Sequence, residues 1–221
     1  MALIGRALIG AALAAASLVA LNHHGFCLCG TAAVAAPQAA GAAPAPAGAS
    51  AREFPDTLYF QTNGARYPSP MELEGKPMPK LELKDWIGEA QTTEKMKGKV
   101  IVIDFWATWC GPCMKALPHN VELMNKHKDQ GLLIVGIHDS KSGYDKMAKV
   151  ATDKGLNYPL AVDVNSVSEK AWKVSFWPTY CVIDHKGIVR AAGLKPDGVD
   201  TVVEKLLKER AADPAMKKPV G

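Results

Sequence analysis

Two of the five cysteines stand close together in the sequence Trp109-Cys110-Gly111-Pro112-Cys113. If a helix begins there, its unpaired backbone N–H groups and the positive end of its dipole lower the pKa of the first thiol below the usual value of about 8.5. Cys110 is then the nucleophile. Cys113, one turn further on, is placed to attack a mixed disulfide on Cys110 and release a reduced substrate. Because Pro112 pre-sets the helical φ, the loop is stiff. The motif predicts thiol–disulfide exchange.

The flanking sequence contains the elements that would position this motif. Lys99–Trp106 is a β-branched run after Gly98 and predicts a buried strand. Helical spacing follows over residues 111–128, and Leu132–His138 predicts a second buried strand after Gly131. Strands that are buried on both faces pair in parallel and need a crossover helix, so we expect the cysteines at a strand–helix junction. The expected inner face of the helix carries Leu117, Val121 and Met124, with a kink at Pro118.

The remaining pattern completes an α/β unit. Asp184-His185-Lys186-Gly187 lies between two short apolar runs and predicts a β-hairpin. The other expected elements are a helix at about 143–155, an extended piece at 156–163, a short helix at 166–173, hairpin strands at 179–183 and 187–190, and a final helix at about 197–210.

The cysteine motif and the preceding Asp104-Phe105-Trp106-Ala107-Thr108 segment resemble the thioredoxin superfamily, and within it the exported TlpA/ResA-like (redoxin-type) thiol–disulfide oxidoreductases. The resemblance covers about residues 71–210. It implies an α/β, thioredoxin-like fold with a mixed central sheet flanked by helices. Residues 140–175 are long enough for the strand–helix insertion of the TlpA branch. The resemblance also implies a protein-disulfide reductase with no cofactor and no metal.

The resemblance assigns catalytic roles to four residues. Cys110 and Cys113 would form the redox-active disulfide. Asp104 would be the family's buried acid, whose pKa burial raises so that it takes the proton of Cys113; a strand residue that reaches water at a sheet edge is the alternative. Pro178 would be the cis-proline that brings the Trp177 backbone beside Cys110 to pair with a peptide, although proline also opens ordinary strands. Substrate binding is assigned to Trp109, Gly111, Pro112, Trp177 and Thr179.

The sequence departs from the family pattern near this proline. Phe176 and Trp177 are both bulky where the family usually has a small or modest residue. The departure leaves substrate choice and redox poise open, but not the chemistry. Trp106 shields the site in one interpretation and belongs only to the core in the other.

Other sulfur-bearing or polar residues have simpler interpretations. Cys181 stands in an apolar strand and is expected to be a packing residue. His138 and Asp139 end the strand parallel to the one that feeds the site; they could tune the nucleophile, but a polar strand end is the preferred interpretation. His119 and His127 on the helix are expected to be solvated.

Rival site chemistries fit less well. A zinc site would need two more ligands, from Cys181 and a histidine, and no second CxxC pair is present. A c-type haem requires a histidine directly after the second cysteine, where Met114 stands. The Pro-x-x-x-Thr-x-x-Cys loop of a peroxidase is absent. The alternative that stays open is a thioredoxin-like binding or adaptor module without turnover, which would not need CGPC, Asp104 and Pro178 together.

The N-terminal sequence predicts export or tethering. Arg6 precedes the apolar run Ala7–Leu21, which fits a secretory signal and is short for a membrane span. Residues 1–35 are therefore expected to be a signal peptide or an uncleaved anchor. Cys27 and Cys29 are small apolar residues within it, or else a metal-binding or redox pair. The other expected segments are an Ala/Pro-rich linker at 36–51, an irregular lead-in at 52–70, the domain at 71–210 and a flexible tail at 211–221.

Length and charge limit the partners. A chain of 221 residues has room for one good core with appendages, or at most for two small domains. A formal net charge of +4 is too small to indicate a nucleic-acid partner. With export, the resemblance implies a periplasmic or cell-envelope location and protein-disulfide substrates, such as apocytochrome c or other envelope proteins. It also implies a membrane electron donor. The stiff CGPC motif resembles the reducing members, so we expect a disulfide reductase.

Overall fold

The computed structural model describes residues 53–216. It contains a six-stranded sheet and a separate two-stranded one. The strands are β1 (Gln61–Thr62), β2 (Ala65–Arg66), β3 (Leu83–Ile87), β4 (Val100–Trp106), β5 (Leu132–His138), β6 (Leu160–Asp163), β7 (Thr179–Ile183) and β8 (Val189–Leu194). The α-helices are α1 (Pro68–Met71), α2 (Thr93–Met96), α3 (Gly111–His127), α4 (Met147–Asp153), α5 (Val167–Ala171) and α6 (Val199–Ala212).

The large sheet is mixed, in the order β3-β6-β5-β4-β7-β8. β4 and β5 pair in parallel over their whole length, and α3 connects them. β7 lies antiparallel to β4 on its other side, and β8 completes the predicted hairpin with β7. Every residue of β4 and β5 is buried, as their apolar runs predict. These findings confirm the predicted thioredoxin-like α/β class. Since β4 and β5 are parallel, the loops that follow them begin at the same end of the sheet, where the C-terminal ends of the two strands lie side by side.

The predicted insertion within residues 140–175 contains α4 and β6. β6 extends the parallel part of the sheet beside β5, and β3 pairs antiparallel with β6 to form the sheet edge. Neither β3 nor α2 follows from the sequence pattern. In β3, Lys84 and Asp85 are exposed and the pairing with β6 is irregular, so the strand lacks a clean alternation.

Alternate residues of β4 divide the core into two layers. Val102 and Trp106 face the layer that contains the apolar sides of α3, α4 and α6. Ile103 and Phe105 face the opposite layer, where the ring centroid of Trp172 lies 5.9 Å from that of Phe105. An even-numbered residue of β4 therefore faces α3.

The lead-in, expected to be irregular, has short elements of its own and is attached to the sheet. Residues 53–70 include the β1–β2 hairpin and all of α1 except its last residue, Met71. Tyr59 forms a bridge with Leu194 of β8. Arg66 is buried, pairs with Glu74, and its guanidinium lies 3.4 Å from the ring centroid of Tyr59. These contacts predict that the lead-in folds with the domain.

The buried face of α3 differs in detail from the sequence expectation. Leu123 is buried, whereas Val121 and Met124 are only half-buried. The expectation that His127 is solvated is wrong: it is 5% exposed, because it lies one turn beyond Leu123 on the face that packs against the sheet. His119 is half-exposed.

The proposed signal or anchor, the linker and the last residues of the tail lie outside the described residues. Within residues 53–216, no helix combines the length and the apolar character that crossing a membrane requires.

Candidate active site

The paired cysteines lie at the junction of β4 and α3 and are joined in a disulfide, with Cα atoms 5.2 Å apart. Cys110 is the N-cap residue of α3, and its Sγ accepts a hydrogen bond from the Cys113 N–H at 3.2 Å. The exposed fraction is 5% for Cys110 and 1% for Cys113, whereas Gly111 and Pro112 between them are exposed. In the dithiol form, the same N–H and the start of the helix would stabilise a thiolate on Cys110.

Asp104 lies in the middle of the sheet, flanked by β5 and β7, and is 1% exposed. It therefore does not reach water at a sheet edge. Like Trp106, it occupies an even position of β4 and faces α3. Burial raises the pKa of the Asp104 carboxyl to about 7, and hydrogen bonds from Tyr180 and Asn120 oppose the increase. A carboxyl with a pKa near neutrality can accept and release a proton at physiological pH.

The Trp177–Pro178 peptide bond is cis. Pro178 directly precedes β7, whose first residue, Thr179, is in register with Phe105 of β4. The cis-proline loop therefore lies at the end of the sheet where β4 ends and the cysteine loop begins. The two loops touch, since the ring centroids of Trp177 and Trp109 are 5.8 Å apart.

Trp109 is 55% exposed, but its ring is held at one point. The indole Nε1 donates a hydrogen bond to Oδ2 of the buried Asp139 at 2.6 Å. The other oxygen of Asp139 accepts from the backbone N–H groups of Lys141 and Ser142, at 2.6 and 3.1 Å. The carboxylate therefore connects the turn after β5 to the aromatic side chain beside the disulfide.

His138 holds the backbone that precedes the cysteines. Its buried Nε2 accepts from the Thr108 N–H at 2.8 Å, and its Nδ1 donates to the carbonyl of Asp139 at 2.8 Å. Burial lowers the pKa of His138, which favours the neutral ring that this arrangement requires. The Thr108 hydroxyl also donates to the carbonyl of Gly143 at 2.7 Å. His138 and Asp139 are thus more than a polar strand end.

The two bulky residues before the cis-proline have different surroundings. The ring of Phe176 packs on the lead-in, with centroid distances of 5.2 Å to Phe60 and 4.6 Å to Tyr67. Trp177 lies against Trp109 as described, and the Lys141 ammonium is 5.8 Å from its ring centroid. Phe176 therefore packs against the lead-in, whereas Trp177 enlarges the aromatic surface next to the disulfide.

Trp106 and Cys181 belong to the core. Both are fully buried, and Trp106 packs edge-on against the His138 ring. Cys181 lies in the core layer opposite to that of Cys113. Burial raises the pKa of the Cys181 thiol to about 12, so this thiol stays protonated and unreactive at neutral pH. The expectation of a packing role agrees with these surroundings.

Two side chains at the site, Asn120 and Tyr180, belong to no sequence motif. Asn120 Nδ2 donates to Asp104 Oδ2 at 2.9 Å and to Tyr180 Oη at 3.1 Å. The sequence contains one indication of Asn120: it is a polar residue three positions after Leu117, on the face of α3 that is buried. No group of three or more His, Cys, Asp or Glu side chains within residues 53–216 is arranged to hold a metal ion.

Comparison with known proteins gives a consistent result. The model of the AhpC/TSA family matches residues 75–192, just over half of the chain. The protein DipZ of Mycobacterium tuberculosis is 34% identical over 133 residues, which cover 57% of this chain and 19% of DipZ. The thiol–disulfide oxidoreductase ResA of Bacillus subtilis is 32% identical over 118 residues, which cover 52% of this chain and 64% of ResA. The chain thus spans less than two thirds of the length of either relative.

Among solved structures, the chain is similar to a thioredoxin-like protein in its oxidised form, determined in solution. The TM-score is 0.54 and the sequence identity 27%, and the match covers 60% of this chain and 95% of the other. The likeness agrees with the thioredoxin-like arrangement of the sheet and helices.

Proposed function

The chain belongs to the AhpC/TSA family and is a ResA-like member of the thioredoxin superfamily, and on that premise we propose that it is a thiol–disulfide oxidoreductase that reduces protein disulfides. The observation that carries the proposal is the Cys110–Cys113 disulfide at the N-cap of α3, on the face of the sheet where Asp104 is buried. This arrangement supplies a stabilised thiolate, a second sulfur one turn away and a proton acceptor.

The proposed reaction has two exchanges. The Cys110 thiolate attacks one sulfur of a substrate disulfide; a bond from Cys110 to that sulfur forms, and the other substrate sulfur leaves as a thiolate that takes a proton from water. Cys113 then gives its proton to Asp104 and attacks Cys110 Sγ. The Cys110–Cys113 bond forms as the bond to the substrate breaks. Two electrons pass from the enzyme dithiol to the substrate, which leaves as two thiols.

Substrate binding is proposed at the exposed rim around the disulfide. Gly111 and Pro112 are exposed, and Trp109 offers an open indole face next to Trp177. Pro178 directly precedes β7, and Thr179 begins that strand beside β4, so the backbone just before β7 is suited to pairing with an extended peptide. An apolar segment that surrounds a cystine would match this rim.

The cellular setting is also a proposal. The apolar N-terminal run supports export, and a location in the periplasm or cell envelope agrees with an enzyme that reduces disulfides where they form. Substrates would be envelope proteins with disulfides, such as apocytochrome c, and a membrane protein would return electrons to the Cys110–Cys113 disulfide.

The test is reduction of insulin disulfides in the presence of a dithiol, followed by precipitation of the free chains. Wild-type protein is expected to accelerate reduction, and the Cys110→Ser and Cys113→Ser variants are expected to fall to the uncatalysed rate. The matched control is Cys181→Ala, since that thiol is buried in the opposite core layer, and its rate per folded molecule should equal that of wild type.

The same assay tests the alternative of an adaptor. A binding module without turnover would leave insulin reduction at the background rate in the wild-type protein as well. That result, with wild type folded and its dithiol verified by thiol titration, would contradict the proposed function.

A further inference from the structure

The buried face of α3 carries an amide, Asn120, two helical turns after Cys113. Asn120 is 1% exposed, and a buried amide destabilises a fold unless its polar atoms are paired. Its Nδ2 donates two hydrogen bonds, one to Asp104 Oδ2 and one to Tyr180 Oη. The amide therefore joins the carboxyl and the phenol across three elements, β4, α3 and β7.

Tyr180 lies directly beside Asp104 in the register of β4 and β7. Its ring is fully buried and its hydroxyl oxygen accepts from Asn120. The same hydroxyl favours the ionised form of Asp104 and so lowers the pKa of that carboxyl. On the β5 side, the residue in register with Asp104 is Gly136, which brings no side chain. The donors consequently approach the carboxyl from the α3 and β7 sides.

The two oxygens of Asp104 differ as a result. Oδ2 receives the Asn120 amide, whereas Oδ1 is buried and has no hydrogen-bond partner among the described residues. The titratable groups whose pKa the Asp104 charge influences are Tyr180 on β7 and Tyr158 just before β6. Cys113 of α3 lies in the core layer on the same side of the sheet. Tyr158 Oη also lacks a partner within the described part of the chain. A buried carboxyl oxygen without a hydrogen-bond partner, such as Asp104 Oδ1, is uncommon in folded proteins and is often connected with function.

We propose that Asn120 and Tyr180 are positioning residues for the resolving step: Asn120 holds Oδ2 of Asp104, Tyr180 holds the Asn120 amide, and Oδ1 is left as the oxygen that takes the Cys113 proton. The inference rests on the proposed function. In that step the proton moves from Cys113 Sγ to Asp104 Oδ1, and the Cys113 thiolate attacks Cys110 Sγ. The Cys110–Cys113 bond forms and the Cys110–substrate bond breaks. The substrate sulfur leaves with the electron pair and is protonated by water.

The Asn120 amide and the Tyr180 hydroxyl affect a quantity that can be measured, the pKa of Asp104. Hydrogen bonds to the ionised form of a carboxyl favour that form, so removing one of them raises its pKa further. Fewer molecules then carry the Asp104 carboxylate at neutral pH, and resolution slows there but not at high pH. A purely structural role for Asn120 and Tyr180 would lower the amount of folded protein without moving the pH profile.

The test compares Tyr180→Phe and Asn120→Leu with wild type, and uses Tyr158→Phe as the matched control. Tyr158→Phe also deletes one buried hydroxyl near Asp104, but one that has no hydrogen-bond partner among residues 53–216. Two quantities are measured: the pKa of Asp104 in the oxidised protein, from its carboxyl ¹³C resonance, and the pH profile of insulin reduction. Tyr180→Phe keeps the ring and is the variant of choice if Asn120→Leu does not fold.

Both site variants are expected to move the pKa of Asp104 and the acid limb of the rate profile upward by about one pH unit. Turnover at pH 6 then falls by about tenfold and recovers at pH 9, while Tyr158→Phe follows wild type. If wild type reduces insulin but Tyr180→Phe leaves both quantities unmoved, or Tyr158→Phe moves them as far, the positioning role is wrong and the proposed function stands. If wild type does not reduce insulin, the proposed function itself fails.

Discussion

At the Asp104 carboxyl, the requirements of folding and of the proposed reaction oppose each other. Burial raises its pKa from 3.8 to about 7, so the native protein keeps this proton over a pH range in which the unfolded chain has already lost it. Where the native state binds more protons than the unfolded state, the free energy of unfolding decreases as pH rises. The contribution of Asp104 should therefore decline between about pH 4 and pH 7 and level out above that range.

We expect Asp104→Asn to remove this decline. The asparagine keeps an oxygen that can accept from Asn120 but cannot ionise. In the oxidised protein at pH 8, the variant should be more stable than wild type by at most about 4 kcal/mol, and the difference should shrink toward pH 4. Chemical denaturation followed across this pH range measures it. The same substitution should slow the resolution of mixed disulfides.

Asp129→Asn provides the control for that comparison, because this aspartate is exposed in the turn that follows α3. Its stability profile should run parallel to that of wild type. If the Asp104→Asn profile were also parallel to wild type from pH 4 to pH 8, the raised pKa of Asp104 would be refuted.

At the scale of elements, the sequence predicts those whose stabilisation is local or fully apolar. The runs of β4 and β5 are buried on both faces, and α3 follows a turn motif with proline in its first positions, so composition alone indicates them. β3 escapes prediction because an edge strand with Lys84 and Asp85 exposed depends on its pairing with β6. The burial of His127 likewise depends on which face of α3 meets the sheet.

The lead-in is the segment whose structure differs most from the irregular one that the sequence predicts. Phe60 and Tyr67 pack on Phe176, next to the cis-proline loop, and the N–H of Phe60 donates to the carbonyl of Gly193 at 3.1 Å. Residues 53–70 are therefore expected to unfold together with the domain that follows.

A double-mutant cycle on Phe60→Leu and Phe176→Leu tests this attachment. The edge-to-face contact of the two rings predicts a coupling free energy of about 0.5–1.5 kcal/mol in equilibrium unfolding. The comparison cycle pairs Phe60→Leu with Tyr144→Leu. Tyr144 lies near Lys84 at the opposite edge of the sheet, so its coupling to Phe60 should be close to zero. Equal coupling in both cycles would show that the lead-in is not attached through Phe176.

Over the whole molecule, the site is assembled from segments far apart in the chain. The cysteines come from the β4–α3 junction, the Trp109 partner from the turn after β5, and the cis-proline from the residue before β7. The chemistry could be predicted because Cys110-Gly111-Pro112-Cys113 is a local motif. The partners of Asp104 and Trp109 could not, because they depend on the register of β4 with β5 and β7.

A partly buried ion-pair network connects the start of the described chain to its last helix. The Arg190 guanidinium donates to Glu53, to Asp184 in the hairpin turn and to Glu209 of α6. Lys205 also pairs with Glu53 and Glu209. These ion pairs attach the segment at Glu53 to α6, the helix that packs on the same face of the sheet as α3.

Trapping on Cys113→Ser tests the central claim most directly. Without the resolving sulfur, the Cys110 thiolate should form a stable mixed disulfide with insulin or with a peptide that contains a cystine. Intact-mass analysis followed by peptide mapping is expected to find one adduct per chain, on Cys110, that a reductant removes and that Cys110→Ser abolishes. A folded Cys113→Ser protein that forms no adduct, or forms it on Cys181, would contradict the account.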